Sequence, residues 1–228
     1  RTGLAGEERA QSGYPMLGEG GTGLSGAFAI LLALRQRDRT QQPQLIDLGH
    51  YETFLRLIED QIPAYGEDRS VMSRIGNSNP LICPNGLFPT RDGRYVSIPA
   101  STEALWRRLV LVVGDDSLLA YDSTPLRIRH RDLIEGKVAA WTQSHDFRDL
   151  LQICADAGIA CGPVYSVEDI VQDPHIQARG SIVEVEDEDC GKVMLASPAG
   201  RFSGFEAQIG TLGPRLGAHT DEVLREIG

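Results

Sequence analysis

Residues 18–30 read GEGGTGLSGAFAI, with Gly18, Gly20, Gly21 and Gly23 crowded in front of an apolar run. This stretch constrains the chain more than any other. Glycines at the entry of a helix let a ligand approach the backbone closely and leave amides open to an anion. From Thr22 to Arg37, residues Leu24, Ala27, Phe28, Leu31, Leu32 and Leu34 follow helical spacing. Arg35, Arg37 and Arg39 then place positive charge where a helix C-terminus favours it. The spacing predicts a glycine turn leading into a helix. A phosphate loop of the P-loop type also needs a lysine followed by Ser or Thr, and this stretch has none. Gly18, Gly20 and Gly23 do fit the spacing of a dinucleotide fingerprint, but SGYPML before them is a poor strand and no acidic residue ends a second strand. What remains is a carboxylate, Glu19, on a glycine-flanked turn; its plain alternative is an exposed turn glutamate.

Further along, PQLIDLG (43–49) reads as a short buried strand and HYETFLRLIEDQI (50–62) as a second helix, an order that points to a wound α/β layer. Residues 63–86 hold Pro63, Gly66, Gly76, Pro80, Pro84 and Gly86 with little periodicity and read as a linker. GLFPTRDGRYVSIPA (86–100) is a hairpin pattern turning at Asp92-Gly93, followed by amphipathic helices at 102–113, 127–143 and 146–157. IACGPV (159–164) reads as a strand or extended segment, VEDIVQD as a short helix stopped by Pro174, and SIVEVED with GKVMLAS as a second hairpin. The tail HTDEVLREIG opens a last helix with Thr220 as N-cap.

Composition narrows the function. The chain carries 22 Lys+Arg against 32 Asp+Glu, a net charge of −10, and its basic residues are scattered, so nucleic acid is not an expected partner. No uninterrupted apolar stretch approaches the roughly 20 residues of a membrane span, so no membrane partner is expected either. Cys83, Cys154, Cys161 and Cys190 form no CxxC pair and no zinc-spaced cluster, which fits reduced thiols in a cytoplasmic protein with no metal site. The chain opens on Arg1 with the polar RTGLAGEERAQS and reads as a piece of something longer. Five histidines in separate elements share no motif, no GxSxG is present, and Cys161 and Asp47 each have a plain structural reading. The residues alone reach a two-part α/β protein.

Several stretches, in order, resemble the class III CoA-transferases, the group that includes formyl-CoA transferase, carnitine CoA-transferase and α-methylacyl-CoA racemase. AGIACGPVYSVEDIVQDPHIQARGSIVEVED (157–187), SPAGRFSGF (197–205) and GPRLGAHTDEVLREIG (213–228) are similar to that family's carboxyl-terminal segments. GEGGTGLSGAFAILLALRQRDRT (18–40) and GNSNPLICPNGLFPTRDGRYVSI (76–98) resemble two earlier ones. The resemblance implies part of a Rossmann-like large domain plus a smaller α/β domain: residues 1–70 in the large domain and linker, 71–185 the small domain, 186–228 a return to the large one. It implies an acyl-CoA site lined by Gly18, Gly20 and Gly21, with Glu19 as the catalytic candidate where the family carries an aspartate, which in the racemase branch is an α-proton acid/base. Asn77, Asn79 and Asn85 are polar candidates for the site wall, their plain alternative being turn asparagines. Coenzyme A or acyl-CoA is then substrate, no cofactor is tightly bound, a small carboxylic acid is the second substrate, and the chains pair as an interlocked homodimer. The family's nucleophilic aspartate lies in a segment before the one matched by the start of this chain. Two departures stand out. RTQQPQ (39–44) lacks two glycines of the family pattern, and Pro89 replaces the racemase glutamate before the Asp92-Gly93 turn. A racemase, or a non-catalytic or split-subunit member that needs a partner chain, are the alternatives.

Overall fold

The computed structural model describes residues 16–58, 60–210 and 212–228. The opening RTGLAGEERAQS and the residues Ser12 to Pro15 of the SGYPML segment lie outside them. Contacts divide the chain into two compact units, Arg1–Pro163 and Val164–Gly228.

The first helix is longer than its apolar spacing predicts. Helix α1 spans Leu17–Thr40, so the glycine stretch is helical from Gly18 onward, and the Gly20 amide already donates to the Met16 carbonyl at 2.9 Å. A glycine inside a helix costs about 1 kcal/mol relative to alanine. Packing explains two of them. A Cβ on Gly18 would lie 3.1 Å from the Phe54 ring, and one on Gly21 would lie 3.1 Å from the Thr53 methyl, so these glycines let helix α2 (His50–Leu57) come close. Ser25 accepts a hydrogen bond from the Thr53 hydroxyl at 3.2 Å across the same seam.

Two expectations for this region need correction. PQLIDLG is not a strand: residues 41–49 carry no regular structure, because a strand needs a neighbour to complete its ladder and none pairs with it among the described residues. The second helix ends at Leu57, and a third, α3, spans Gln61–Asp68 inside what reads as helix end and linker. Pro63 falls in the first turn of α3, where a missing N–H costs nothing. Among the described residues α1 is also the one helix long and apolar enough to cross a membrane, with a mean hydropathy of 1.4 over its best window. The uninterrupted-run criterion missed it because glycines punctuate the apolar residues.

The core lies further along. Strands β1 (Asn85–Pro89) and β2 (Tyr95–Pro99) pair antiparallel from Asn85↔Pro99 to Pro89↔Tyr95, joined by a turn with Gly93 at φ 79°. The short β3 (Gly162–Pro163) adds to the other edge of β2. Alternation puts Gly86, Phe88, Val96 and Ile98 on the buried face. Helices α4 (Glu103–Val113), α5 (Thr124–Arg129), α6 (Arg131–Thr142) and α7 (Phe147–Asp156) cover it with Trp106, Leu109, Ile134, Val138, Leu150 and Cys154. These helices and the hairpin match the sequence expectation closely, with α5 and α6 dividing at His130. Thr102 caps α4 by accepting from the Leu105 amide. Arg127, a fully buried cation of this core, donates to Glu103, to Thr124 Oγ1 and to the Cys83 and Tyr121 carbonyls. Every one of those bonds ties α5 to another part of the unit or to its own first turn.

In the second unit α8 (Val167–Gln172) opens with a reciprocal cap between Ser166 and Asp169. Pro174, expected as a stop, is instead the first residue of α9 (Pro174–Ala178), capped by Asp173. Strands β4 (Ile182–Asp187) and β5 (Gly191–Ala196) form the expected hairpin, its turn held by Asp187 accepting from the Asp189 and Cys190 amides. Helix α10 (Thr220–Ile227) ends the chain, with His219 rather than Thr220 at the cap position.

Candidate functional site

Glu19 sits in the first turn of α1, where the positive end of the helix favours a carboxylate. Its side chain is exposed and has no hydrogen-bond partner among the described residues. Gly18 and Gly21 face α2, whereas a Cβ on Gly20 or Gly23 would meet nothing within 4 Å. The glycine turn with open amides is therefore corrected to a helix whose glycines serve two surfaces: one covered by α2, one bare. The Thr22 hydroxyl is buried without a partner among the described residues at this same end of α1.

The three asparagines lie around the start of β1. Asn79 accepts from the Leu81 amide at 2.8 Å, and its own carbonyl accepts from Arg131 at 2.6 Å. Arg131 is held in turn by Glu135 at 2.9 Å, and Glu135 accepts from Ser78 at 2.8 Å. This network fixes the loop through Asn77 and Asn79 onto α6. Asn85 opens β1 opposite Pro99. No hydrogen bond among the described residues links the asparagine group to Glu19, so the structure brings the candidates together as two groups.

Two further features were not legible as sites. The Cys161 thiol meets the buried Cys154 thiol; that hydrogen bond and burial push the Cys154 thiol up, and the same bond draws Cys161 down. Cys83 is pushed up to about 11 by burial and stays a protonated core thiol at neutral pH. In the second unit a cavity of about 790 Å³ is bounded by Arg179, Ser181, Ser197, Arg201, Phe202 and Phe205. Phe202 and Phe205 stack with ring centres 4.3 Å apart, and Arg201 donates to the Ala178 and Arg179 carbonyls. Gly200 has φ 99° just before this pair, and the chain bends at Ser203-Gly204 between the two rings. Three or more metal-ligating side chains do not gather anywhere among the described residues.

Comparison with known proteins gives this geometry a context. Residues 1–220 match the family described as CoA-transferase family III. The chain is 35% identical over 211 residues to the succinyl-CoA:L-malate CoA-transferase β subunit of Chloroflexus aurantiacus, covering 90% of this chain and 52% of that one. It is 30% identical over 216 residues to the succinyl-CoA:mesaconate CoA-transferase of Haloarcula marismortui, covering 94% and 54%. Among solved structures, a CaiB/BaiF family protein from Brucella suis superposes with a TM-score of 0.76 at 25% identity, covering 99% of this chain and 59% of that one. The chain thus spans about half the length of the curated relatives it matches.

Proposed function

The chain belongs to CoA-transferase family III, and on that premise we propose that it supplies part of an enzyme that moves CoA from an acyl-CoA donor to a carboxylic acid. The observation that carries this reading is family identity along almost the whole chain, with relatives of 30–35% identity named as CoA-transferases. Those relatives are named for succinyl-CoA with L-malate or mesaconate, which favours a succinyl-CoA donor and a small dicarboxylic acceptor here.

The chemistry proposed is a carboxylate relay. An aspartate outside these 228 residues attacks the thioester carbonyl, CoA leaves as thiolate, and a mixed anhydride forms. The thiolate then attacks the aspartyl carbonyl, giving an aspartyl-CoA thioester and releasing the donor acid. The acceptor carboxylate repeats both steps in reverse and leaves as the new acyl-CoA. Such covalent relays split one hard transfer into easier ones. In this scheme Glu19 lines the acyl end of the site from the first turn of α1, Gly20 leaves its neighbour room to approach, and Asn77, Asn79 and Asn85 form polar wall. A racemase is the weaker reading, since Pro89 stands where that branch carries a glutamate. The remaining fold comes from a longer polypeptide or from a partner chain; relatives named as α and β subunits each run to about twice the length matched here, which favours the longer polypeptide.

The test is a CoA-transfer assay with succinyl-CoA and L-malate. The 228-residue chain is co-expressed with the portion of the Chloroflexus aurantiacus β subunit to which it does not align. Malyl-CoA formation by the assembly, absent from the chain alone, is expected; an assembled but inactive complex contradicts the transferase reading. Glu19→Gln in the active assembly is expected to lower kcat, and unchanged kinetics would return Glu19 to an exposed turn-end carboxylate.

A further inference from the structure

The chain turns back at the end of α7 and sets two thiols face to face. Gly158, at φ 62°, reverses the backbone after Ala157, and the Ile159 amide returns to the Cys154 carbonyl at 2.8 Å. A left-handed glycine with an amide reaching back across it is a common way for a helix to close off its last carbonyls. Here it also carries Cys161, seven residues on, back to Cys154. Arg108 holds the reversal from α4, donating to the Gly158 carbonyl at 2.9 Å. The two sulfurs are in hydrogen-bond contact, Cys154 fully buried in the core and Cys161 half-buried at its margin. Cys154 is anchored in a helix, whereas Cys161 lies outside regular structure between α7 and β3. The sulfur that must move to close a bond is therefore on the freer segment.

We propose that Cys154 and Cys161 form a reversible dithiol–disulfide site oxidised by a hydroperoxide, with Cys161 as the attacking thiol and Cys154 as the resolving one. Burial assigns the roles, since solvent reaches Cys161 and not Cys154. The hydrogen bond agrees: the Cys154 thiol donates, and accepting it draws Cys161 below its ordinary value. Thiolate character with access, beside a second thiol, is what makes a cysteine readily and reversibly oxidised. The Cys161 thiolate attacks the outer peroxide oxygen, the O–O bond breaks, and the alkoxide takes up the proton that Cys161 released, leaving a sulfenic acid and an alcohol. The Cys154 sulfur then attacks the Cys161 sulfur, the S–O bond breaks, and the departing hydroxide takes the Cys154 proton as water. Two electrons pass from the thiol pair to the peroxide. The new bond ties the end of α7 to the segment entering β3, whose Gly162 and Pro163 pair with Ser97 and Val96. Cross-linking a reversal that is already folded restricts the unfolded chain and stabilises the unit. None of the residues assigned to the acyl-CoA site takes part, so this site stands or falls apart from the transferase reading.

The experiment treats the reduced, folded 228-residue chain with hydrogen peroxide, blocks the remaining thiols with N-ethylmaleimide and cleaves before Asp156, which separates the two cysteines. Mass spectrometry is expected to find the Cys154 and Cys161 peptides joined, lighter than their sum by two hydrogens and released by dithiothreitol. The buried Cys83 is expected to stay a free thiol, and Cys190, exposed in the β4–β5 turn, to stay outside the link. The thermal transition should rise by at least about 3 °C on oxidation and return on reduction. Cys161→Ser, at the half-buried position, should abolish both changes. In Cys154→Ala the sulfenic acid on Cys161 has no resolving thiol, so dimedone should trap it there and not in the wild type. The linkage map of the wild-type chain stands whether or not either variant folds. Three results overturn the proposal: Cys161 left free or carried to sulfinic acid with no link to Cys154, Cys161 joined instead to Cys190 or to a second chain, or a Cys154–Cys161 link that forms only after guanidinium has unfolded the chain.

Discussion

Two apolar regions of this molecule have opposite fates. In the hairpin unit, Val96, Ile98, Trp106, Leu109, Ile134, Val138 and Leu150 are fully or almost fully buried on one another. In the α1–α2 region, Leu24, Phe28, Leu31 and Leu45 are as apolar and stand in solvent. The hairpin unit contains both sides of its contact, whereas among the described residues α1 packs closely on α2 alone. Apolar periodicity tells which face of an element must be covered; whether this chain covers it depends on long-range partners that no local pattern encodes.

The contrast can be broken at its strong side first. Trp106→Ala removes the largest fully buried side chain and the ring over which Arg127 lies, so a loss of about 3–5 kcal/mol in unfolding free energy is expected by denaturant titration. A loss below about 1 kcal/mol would mean that the unit is loosely packed. Glu103→Gln leaves the buried Arg127 without its carboxylate, and a smaller loss of about 1–3 kcal/mol is expected at neutral pH. Arg127 holds that carboxyl below its usual range by hydrogen bond and charge, and an unchanged stability would show Arg127 content with its backbone acceptors.

The smallest effect lies at the rim. Asp115, bonded to Lys137 and Ser117, has its carboxyl drawn down to about 2 from 3.8. A depressed folded-state value means that this stabilisation is present above the ordinary range and is lost as pH falls towards 2. Asp115→Asn is therefore expected to flatten the acid limb of the stability curve between those values, with little change in its shape at neutral pH. An identical acid limb in wild type and variant would assign the bridge no role.

What the sequence revealed follows the same division. The Asp92-Gly93 turn and helices α4, α6 and α7 were legible because each is settled by residues a few positions apart. Prolines misled in a consistent way. Pro63 and Pro174 each sit in the first turn of a helix, while the preceding helices already end at Leu57 and Gln172, so α3 vanished into a linker and α9 into a stop. The glycine stretch was misread as a turn because helix propensity counts against glycine, while the close approach of Phe54 and Thr53 that favours it lies about 30 residues away. Glu19 was legible as a carboxylate at a helix start. Its distance in sequence from Asn77, Asn79 and Asn85, and the lack of any bond between the two groups, left the site itself illegible from local pattern.

Amide hydrogen exchange on the chain by itself tests the contrast most directly. Slow exchange in β2, α6 and α7, approaching the global unfolding limit, with fast exchange through α1 and α2, is the expected result. Protection in α1 equal to that in β2 would contradict it, and would mean that this helix already has the cover it was thought to lack.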